Sequence, residues 1–316
     1  KGNESGGRIG NESTFILLQR LVEAIDLPVY AQGGVGTRTG SACLAGGAAG
    51  LVLDAQLALV KESGLSKRIK KILSRLDGSE TVEVGGHRVL RRPDIPLADS
   101  FTGESAELVA SHLGGDDPER ELLPFGEDAA MAAPLAAKYR TAGSLAHAVW
   151  DNAVAGLELA KRTEPLRPGG PLASEHGTAY PVVQGPMTRV SDRSAFADAV
   201  AHSGGLPFLA LALTRGPQTT PLLEETAERL KDRPWGVGIL GFVPKELREE
   251  QMEAVNAIRP PFALIAGGRP SQARDLEERG TKTYLHVPSP GLLEMFLADG
   301  ARRFVFEGRE CGGHIG

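Results

Sequence analysis

The chain has 316 residues, of which 41% are hydrophobic, and this is enough to bury one large core or one core and a smaller one. A net charge of −5 leaves no basic surface for nucleic acid or an anionic membrane, and no apolar run approaches the roughly 20 residues that span a bilayer. Only Cys43 and Cys311 are available for disulfides and they are far apart in sequence, so we expect a cytoplasmic protein.

The two ends of the chain carry the same ten-residue pattern. Residues 1–10 read KGNESGGRIG and residues 307–316 read EGRECGGHIG, with identical residues at six aligned positions. Such a match at one constant offset is typical of a tandem repeat. We therefore interpret the 316 residues as a piece of a longer polypeptide, in which Arg8 of the front copy stands where the rear copy has His314.

The front of the chain predicts two β/α units. Residues 13–25 place Phe15, Leu18, Leu21, Val22 and Ile25 at helical spacing, and 39–45 also suit a helix. Residues 28–32 and 50–53 are short apolar runs typical of buried strands.

Residues 61–176 break this alternation. They predict an amphipathic helix near 65–76, a hairpin over 81–90 that turns at Gly85 and Gly86, and a long helix over 141–162. A segment rich in proline and glycine follows. We predict a mostly helical insertion or linker over this range.

Six further apolar runs alternate with helical patterns from residue 180 onwards. The runs are 180–184, 206–212, 235–240, 262–266, 283–287 and 303–306, and the helical patterns are 194–203, 221–231, 244–258, 271–279 and 290–298. Six such units in 177–316 and two in 1–60 make eight. The sequence thus predicts an α/β fold, a (β/α)8 TIM barrel that is circularly permuted or split, with strands 7 and 8 at the front. We expect the strands to close into one barrel, with a swapped homodimer as the alternative.

Candidate site residues lie in the loops that follow these strands, where barrel enzymes bind their ligands. Gly33 and Gly34 follow the seventh strand and favour a phosphate loop, although a tight turn that binds nothing is the alternative. Asp54 and Ala55 follow the eighth strand.

The remaining loops contribute backbone groups, a methionine sulfur and a histidine imidazole as candidate ligand contacts. Gly185, Pro186 and Met187 could lie against a flat aromatic ring, and Gly267 and Gly268 follow the fourth strand. His314 could exchange protons near neutral pH. It stands after the sixth strand with neighbours that complete the motif, namely Glu310, Gly312 and Gly313. No metal site is expected.

Four segments together carry a family resemblance: Gln-Gly-Pro-Met at 184–187, Ala-Gly-Gly-Arg-Pro at 266–270, Ala-Gln-Gly-Gly-Val at 31–35 and the 307–316 motif. They resemble the nitronate monooxygenase family, which includes the flavin-dependent enoyl-acyl carrier protein reductases. The tandem pattern resembles the versions within modular polyketide or polyunsaturated fatty acid synthases.

The resemblance implies an FMN-dependent oxidoreductase with NAD(P)H as a candidate electron donor. It implies flavin-ring contacts at Gly185, Pro186 and Met187, phosphate contacts at Gly33 and Gly34, and His314 as general acid or base. The implied partners are a small-molecule or acyl carrier protein-bound substrate and the other domains of a synthase.

The chain departs from the family pattern in three places, one of which is the pair Asp54 and Ala55. Asp54 and Ala55 replace the usual Gly-Thr, and a carboxylate beside a phosphate is unfavourable. Gly238 replaces the usual Asn, and Arg8 cannot shuttle a proton. These departures leave open a catalytically degenerate barrel that serves as a scaffold or carrier-protein dock. A third interpretation is a dinucleotide-binding enzyme, because Gly34, Gly36 and Gly40 follow a strand and Asp54 ends the next one.

Overall fold

The computed structural model describes residues 1–212, 214–308 and 310–311. The chain divides into two compact units, Lys1–Thr163 and Glu164–Gly316, which we call the first and second unit. This division differs from the predicted boundaries at 60 and 176, because residues 61–163 lie in the same unit as 1–60. No helix among the described residues is long and apolar enough to cross a membrane.

The first unit contains two small sheets and several helices. Its strands are β1 (Gly7–Arg8), β2 (Tyr30–Gln32), β3 (Gly50–Val52), β4 (Thr81–Val84) and β5 (His87–Leu90). Its helices are α1 (Thr14–Ala24), α2 (Gly40–Ala45), α3 (Lys67–Leu73), α4 (Ala106–Ser111), α5 (Ala132–Tyr139) and α6 (Ala142–Thr163). Strands β2 and β3 are parallel, as the predicted β/α units require.

The predicted hairpin is present and takes a third strand from the front motif. Gly85 and Gly86 have φ of +50° and +69°, the backbone that a two-residue hairpin turn of type I′ demands. Strand β1 pairs antiparallel with β5, so Gly7 lies opposite Arg88. Residues 61–163 therefore share a sheet with the front of the chain.

The second unit is a regular series of β/α units. Its strands are β6 (Val183–Gln184), β7 (Leu206–Ala210), β8 (Gly236–Leu240), β9 (Phe262–Ala266), β10 (Lys282–Val287) and β11 (Phe304–Phe306). Its helices are α7 (Pro171–His176), α8 (Ser194–His202), α9 (Gly216–Leu230), α10 (Lys245–Ile258), α11 (Pro270–Glu277) and α12 (Pro290–Ala298). The six strands form one parallel sheet in chain order.

The α/β fold of the TIM-barrel class is confirmed in its repeated parallel β/α units. Strands β2 and β3 make a two-stranded sheet of their own, and β6 to β11 make the six-stranded sheet. The expectation that 28–32 and 50–53 pair with strands of 180–306 stays a prediction.

The six-stranded sheet has two apolar faces, which is why its strands read as continuous hydrophobic runs. Leu209, Val237 and Ile265 belong to the core that also contains helix residues such as Leu223 and Val255. The alternate positions form a separate cluster, which consists of Leu206, Phe208, Phe262 and Leu264 with Tyr284 and Val305 packed against them. This second face positions the candidate site.

Candidate functional site

A cavity of about 730 Å³ in the second unit gathers several of the predicted flavin-contact residues. Gly185, Pro186 and Met187 line it together with Gly238. The wall also includes residues of the second sheet face, among them Leu206, Phe208, Leu264, Tyr284 and Val305. The loop after β6 and the end of β8 thus meet at one apolar hollow, in the size range of small-molecule sites.

Gly238 is required where it stands. A Cβ placed on Gly238 would overlap the ring of Pro186, well inside van der Waals contact. The departure from the family's Asn is therefore coupled to the packing of the Gly-Pro loop. An Asn side chain at this position needs Pro186 to move.

Two polar side chains in this cavity were not predicted from the sequence. His176 Nε2 lies 2.7 Å from the hydroxyl oxygen of Tyr284, and both residues line the cavity. Burial lowers the pKa of His176 and raises the pKa of Tyr284, so a neutral hydrogen-bonded pair is favoured at neutral pH. No sequence pattern indicates this pair, because His176 lies in the predicted linker, 108 residues before Tyr284.

A second unpredicted pair joins the last two strands. His286 of β10 is 6% exposed, and its Nε2 lies 2.6 Å from Oε2 of Glu307. Glu307 lines the cavity and places a carboxylate at its edge. The alternation of side chains along β10 could have indicated the side of the sheet on which His286 lies. It stands two residues after Tyr284 and therefore on the same face.

The other predicted residues of the second unit lie elsewhere. Gly267 lines a different cavity of about 560 Å³ together with Phe242 and Arg248, and Gly268 adjoins it beside Ile265. Glu310 lines neither cavity. The predicted general acid or base His314 and its neighbours Gly312 and Gly313 lie outside the described residues.

In the first unit, the predicted phosphate loop has the expected backbone, and its Gly36 N–H is used within the chain. Gly33 and Gly34 have φ of +113° and +60°, conformations that favour glycine. The N–H of Gly36 donates to Thr39 Oγ1 at 2.9 Å, and the N–H of Asp54 donates to Gln56 Oε1 at 2.8 Å.

Carboxylates surround this loop. Glu4 of the front motif accepts hydrogen bonds from the N–H of Thr14 at 3.1 Å and from its hydroxyl at 2.9 Å. Asp54 accepts from Gln32 Nε2 at 3.0 Å, and the buried Ala55 begins a short 3₁₀ turn. Arg8 is exposed on β1.

Asp128 completes the cluster, and the sequence did not indicate it. It is 3% exposed and its Oδ2 lies 3.5 Å from Gln56 Nε2. Burial and the negative charge of Asp54 raise its pKa to about 7, against a hydrogen bond from the Gly34 N–H that lowers it. Among the described residues, no group of three or more His, Cys, Asp or Glu side chains is arranged to hold a metal ion.

Comparison with known proteins confirms the resemblance to the nitronate monooxygenase family. Residues 1–154 match the model of the nitronate monooxygenase family, which covers the glycine loop and most of the first unit.

Individual relatives match parts of the chain. A (3aS,4S,5R,7aS)-5-hydroxy-7a-methyl-1-oxo-octahydro-1H-indene-4-carboxyl-CoA dehydrogenase from Rhodococcus jostii (strain RHA1) is 35% identical over 117 residues, 35% of this chain and 33% of the relative. The chain thus spans about a third of this curated relative. The solved structure of FabK from Thermotoga maritima is 27% identical over 46% of each chain, with a TM-score of 0.42. A nitroalkane oxidase from Streptomyces ansochromogenes is 19% identical over 45% of this chain and 50% of its own, with a TM-score of 0.41.

Proposed function

We propose that the chain is an FMN-dependent oxidoreductase part of a polyketide or fatty-acid synthase, an enoyl reductase or a nitronate monooxygenase-like enzyme, and that its second unit receives the flavin ring. The cavity at Gly185, Pro186, Met187 and Gly238 carries this proposal. The family match of residues 1–154 supports the class of chemistry.

The character of the cavity favours an uncharged aromatic ring. Its described lining is mostly aliphatic and aromatic, with Met187 and Phe208 available to contact a flat ligand, and it includes no Lys or Arg. The residues therefore fit the isoalloxazine ring. They offer no cation to the phosphate.

The proposed substrate is an acyl thioester carried by an acyl carrier protein, with a small molecule such as a nitronate as the alternative. The relative from Rhodococcus jostii supports a thioester, since its name describes a CoA-linked substrate. Bound FMN would supply the hydride or electron transfer, with NAD(P)H as the proposed donor.

His314 is the proposed proton donor or acceptor. The other synthase domains, or a second copy of the chain in a homodimer, are the proposed partners.

A flavin titration tests the proposal. Quenching of flavin fluorescence should report that FMN and riboflavin bind with similar affinity. The reason is that the cavity offers contacts to the flavin ring and not to the phosphate. Ala266→Trp, which fills the cavity wall, should abolish quenching of both. Met295→Trp is the matched control, because Met295 is 54% exposed and does not line the cavity.

Absence of quenching with both flavins in a folded protein would contradict the proposal. That result would favour the second candidate function, a catalytically degenerate barrel that acts as a scaffold or carrier-protein dock. The carboxylates beside the glycine loop of the first unit are the observation that favours this candidate.

A further inference from the structure

We propose that the glycine loop at 33–36 of the first unit is closed to phosphate, because the chain's own side chains occupy its donors and the carboxyl of Asp128 takes the place of the external anion. The loop matches a phosphate loop in backbone and in its place after a parallel strand. Its side-chain surroundings do not fit FMN's phosphate.

The first argument is the use of the backbone donors. A phosphate loop binds by directing free N–H groups at the anion. Here the Gly36 N–H donates to Thr39 Oγ1 at 2.9 Å. Gln56 Nε2 donates to the Val35 carbonyl at 3.0 Å and lies 3.5 Å from Oδ2 of Asp128, which ties the Asp128 carboxyl to the loop. The Glu4 carboxylate also lies against the loop, since its Oε2 would be 3.0 Å from a Cβ on Gly33.

The N-terminus of α1, where the Thr14 hydroxyl lies 3.0 Å from the Gly33 carbonyl oxygen, is also occupied. The Thr14 N–H at the start of α1 donates to both oxygens of Glu4, and the Thr14 hydroxyl donates to the same carboxylate. The α1 dipole therefore already stabilises a negative group of the chain. An incoming phosphate would have to displace Glu4 to reach this end of α1.

The third argument is charge. Asp54 and Glu4 both act electrostatically on Asp128, and Lys1 is the cation that opposes them. The Lys1 ammonium donates to the carbonyl of Gly6 at 2.5 Å. A phosphate dianion is repelled by the carboxylates of Glu4 and Asp54 and by Asp128 in its ionised form, and little solvent is present at the buried Asp128 to screen the repulsion.

Amide NMR with inorganic phosphate as the probe tests this inference. In the unchanged protein, millimolar phosphate should leave the amide resonances of Gly33, Gly34 and Gly36 in place. The double variant Asp54→Asn, Asp128→Asn keeps the side-chain shapes and removes the charges. It should gain phosphate-dependent shifts at these glycines, with affinity raised about tenfold or more.

The matched control is Asp26→Asn, Asp116→Asn, which makes the same change in net charge at exposed positions of the same unit. It should behave as the unchanged protein does. Phosphate-dependent shifts at the three glycines of the unchanged protein would overturn the inference, and so would a folded double variant that gains none.

A second measurement covers the case of a misfolded double variant. The Gly34 amide of the unchanged protein should titrate near neutral pH with the Asp128 carboxyl, which Asp54, Glu4, Lys1 and the Gln56 amide face. The single variant Asp128→Asn should lose this titration. A titration that persists there would show that Asp128 does not occupy the loop. Flavin binding in the second unit is read separately by fluorescence, so the two proposals fail independently.

Discussion

Asp128 makes the stability of the protein depend on pH in an unusual direction. Its pKa is raised from 3.8 to about 7, so the folded protein holds this proton over a range in which the unfolded chain has released it. Stability is therefore lost as the pH rises from about 4 to about 7, and the loss amounts to roughly 4 kcal/mol when complete. Burial is the largest cause of the raised pKa; the negative charges of Asp54 and Glu4 raise it further, and the positive charge of Lys1 lowers it.

We predict that Asp128→Asn removes this slope. The variant should gain stability over the unchanged protein as the pH rises from about 4 to 7 and keep that advantage above 7, because the amide never ionises. Urea unfolding of both proteins across this range measures the difference. Exposed Asp26→Asn is the control, and a flat difference between Asp128→Asn and the unchanged protein would contradict the burial argument.

At the scale of one element, the N-terminus of α1 is capped by Glu4, which lies ten residues before Thr14 in the chain. Ser13 occupies the N-cap position, yet its hydroxyl makes no capping hydrogen bond and is buried without a partner. Glu4 accepts the N–H and the hydroxyl of Thr14 in its place. The front copy of the repeated motif thus holds the first helix through its glutamate.

Glu4→Gln should lower the free energy of unfolding by about 1 kcal/mol, because the amide keeps one acceptor and loses the charge at the helix N-terminus. Glu4→Ala should cost more, since it leaves the Thr14 donors unsatisfied. Glu23→Gln removes an exposed charge from the same helix and is the control in urea unfolding. Equal losses for the two Gln variants would mean that the distant cap contributes nothing.

Local elements were well predicted where their signal was local. The run 262–266 matches β9, and 141–162 matches α6 to within one residue at each end. The helix predicted from 221 begins earlier, at Gly216, with Pro221 inside it. Pro217 stands four residues before Pro221 in the first turn, so the helix tolerates a proline that usually marks a start.

The site was predictable only in its glycine parts. The loops at Gly33, Gly34 and Gly185 can be recognised from their glycine content, because glycine permits positive φ and close approach of a ligand. His176, Glu307 and Asp128 are isolated polar residues in the sequence, and their roles arise from contacts with residues far along the chain. No periodicity marks such contacts.

At the scale of the whole molecule, counting strands predicted the class of fold and left the pairing between the two sets of strands open. Eight strand-like runs are present in the barrel-like parts of the chain, and β2 and β3 pair with each other while β6 to β11 form one sheet. Hydrophobic runs of parallel strands look alike, since each is buried on both faces. Which edges meet is decided by contacts that a single sequence does not display.

Because each unit has its own apolar clusters, damage to one core should remain in that unit. Leu209 is 1% exposed in the second unit's core, and Leu209→Ala should cost about 2–5 kcal/mol by lost burial and the cavity it leaves. Amide hydrogen exchange should lose protection throughout β7 to β9, whereas α6 of the first unit should keep its protection. The reciprocal variant Leu145→Ala, in a first-unit cluster with Val60 and Val149, should reverse the pattern. Equal loss of protection in both units from either variant would show that the two cores unfold as one.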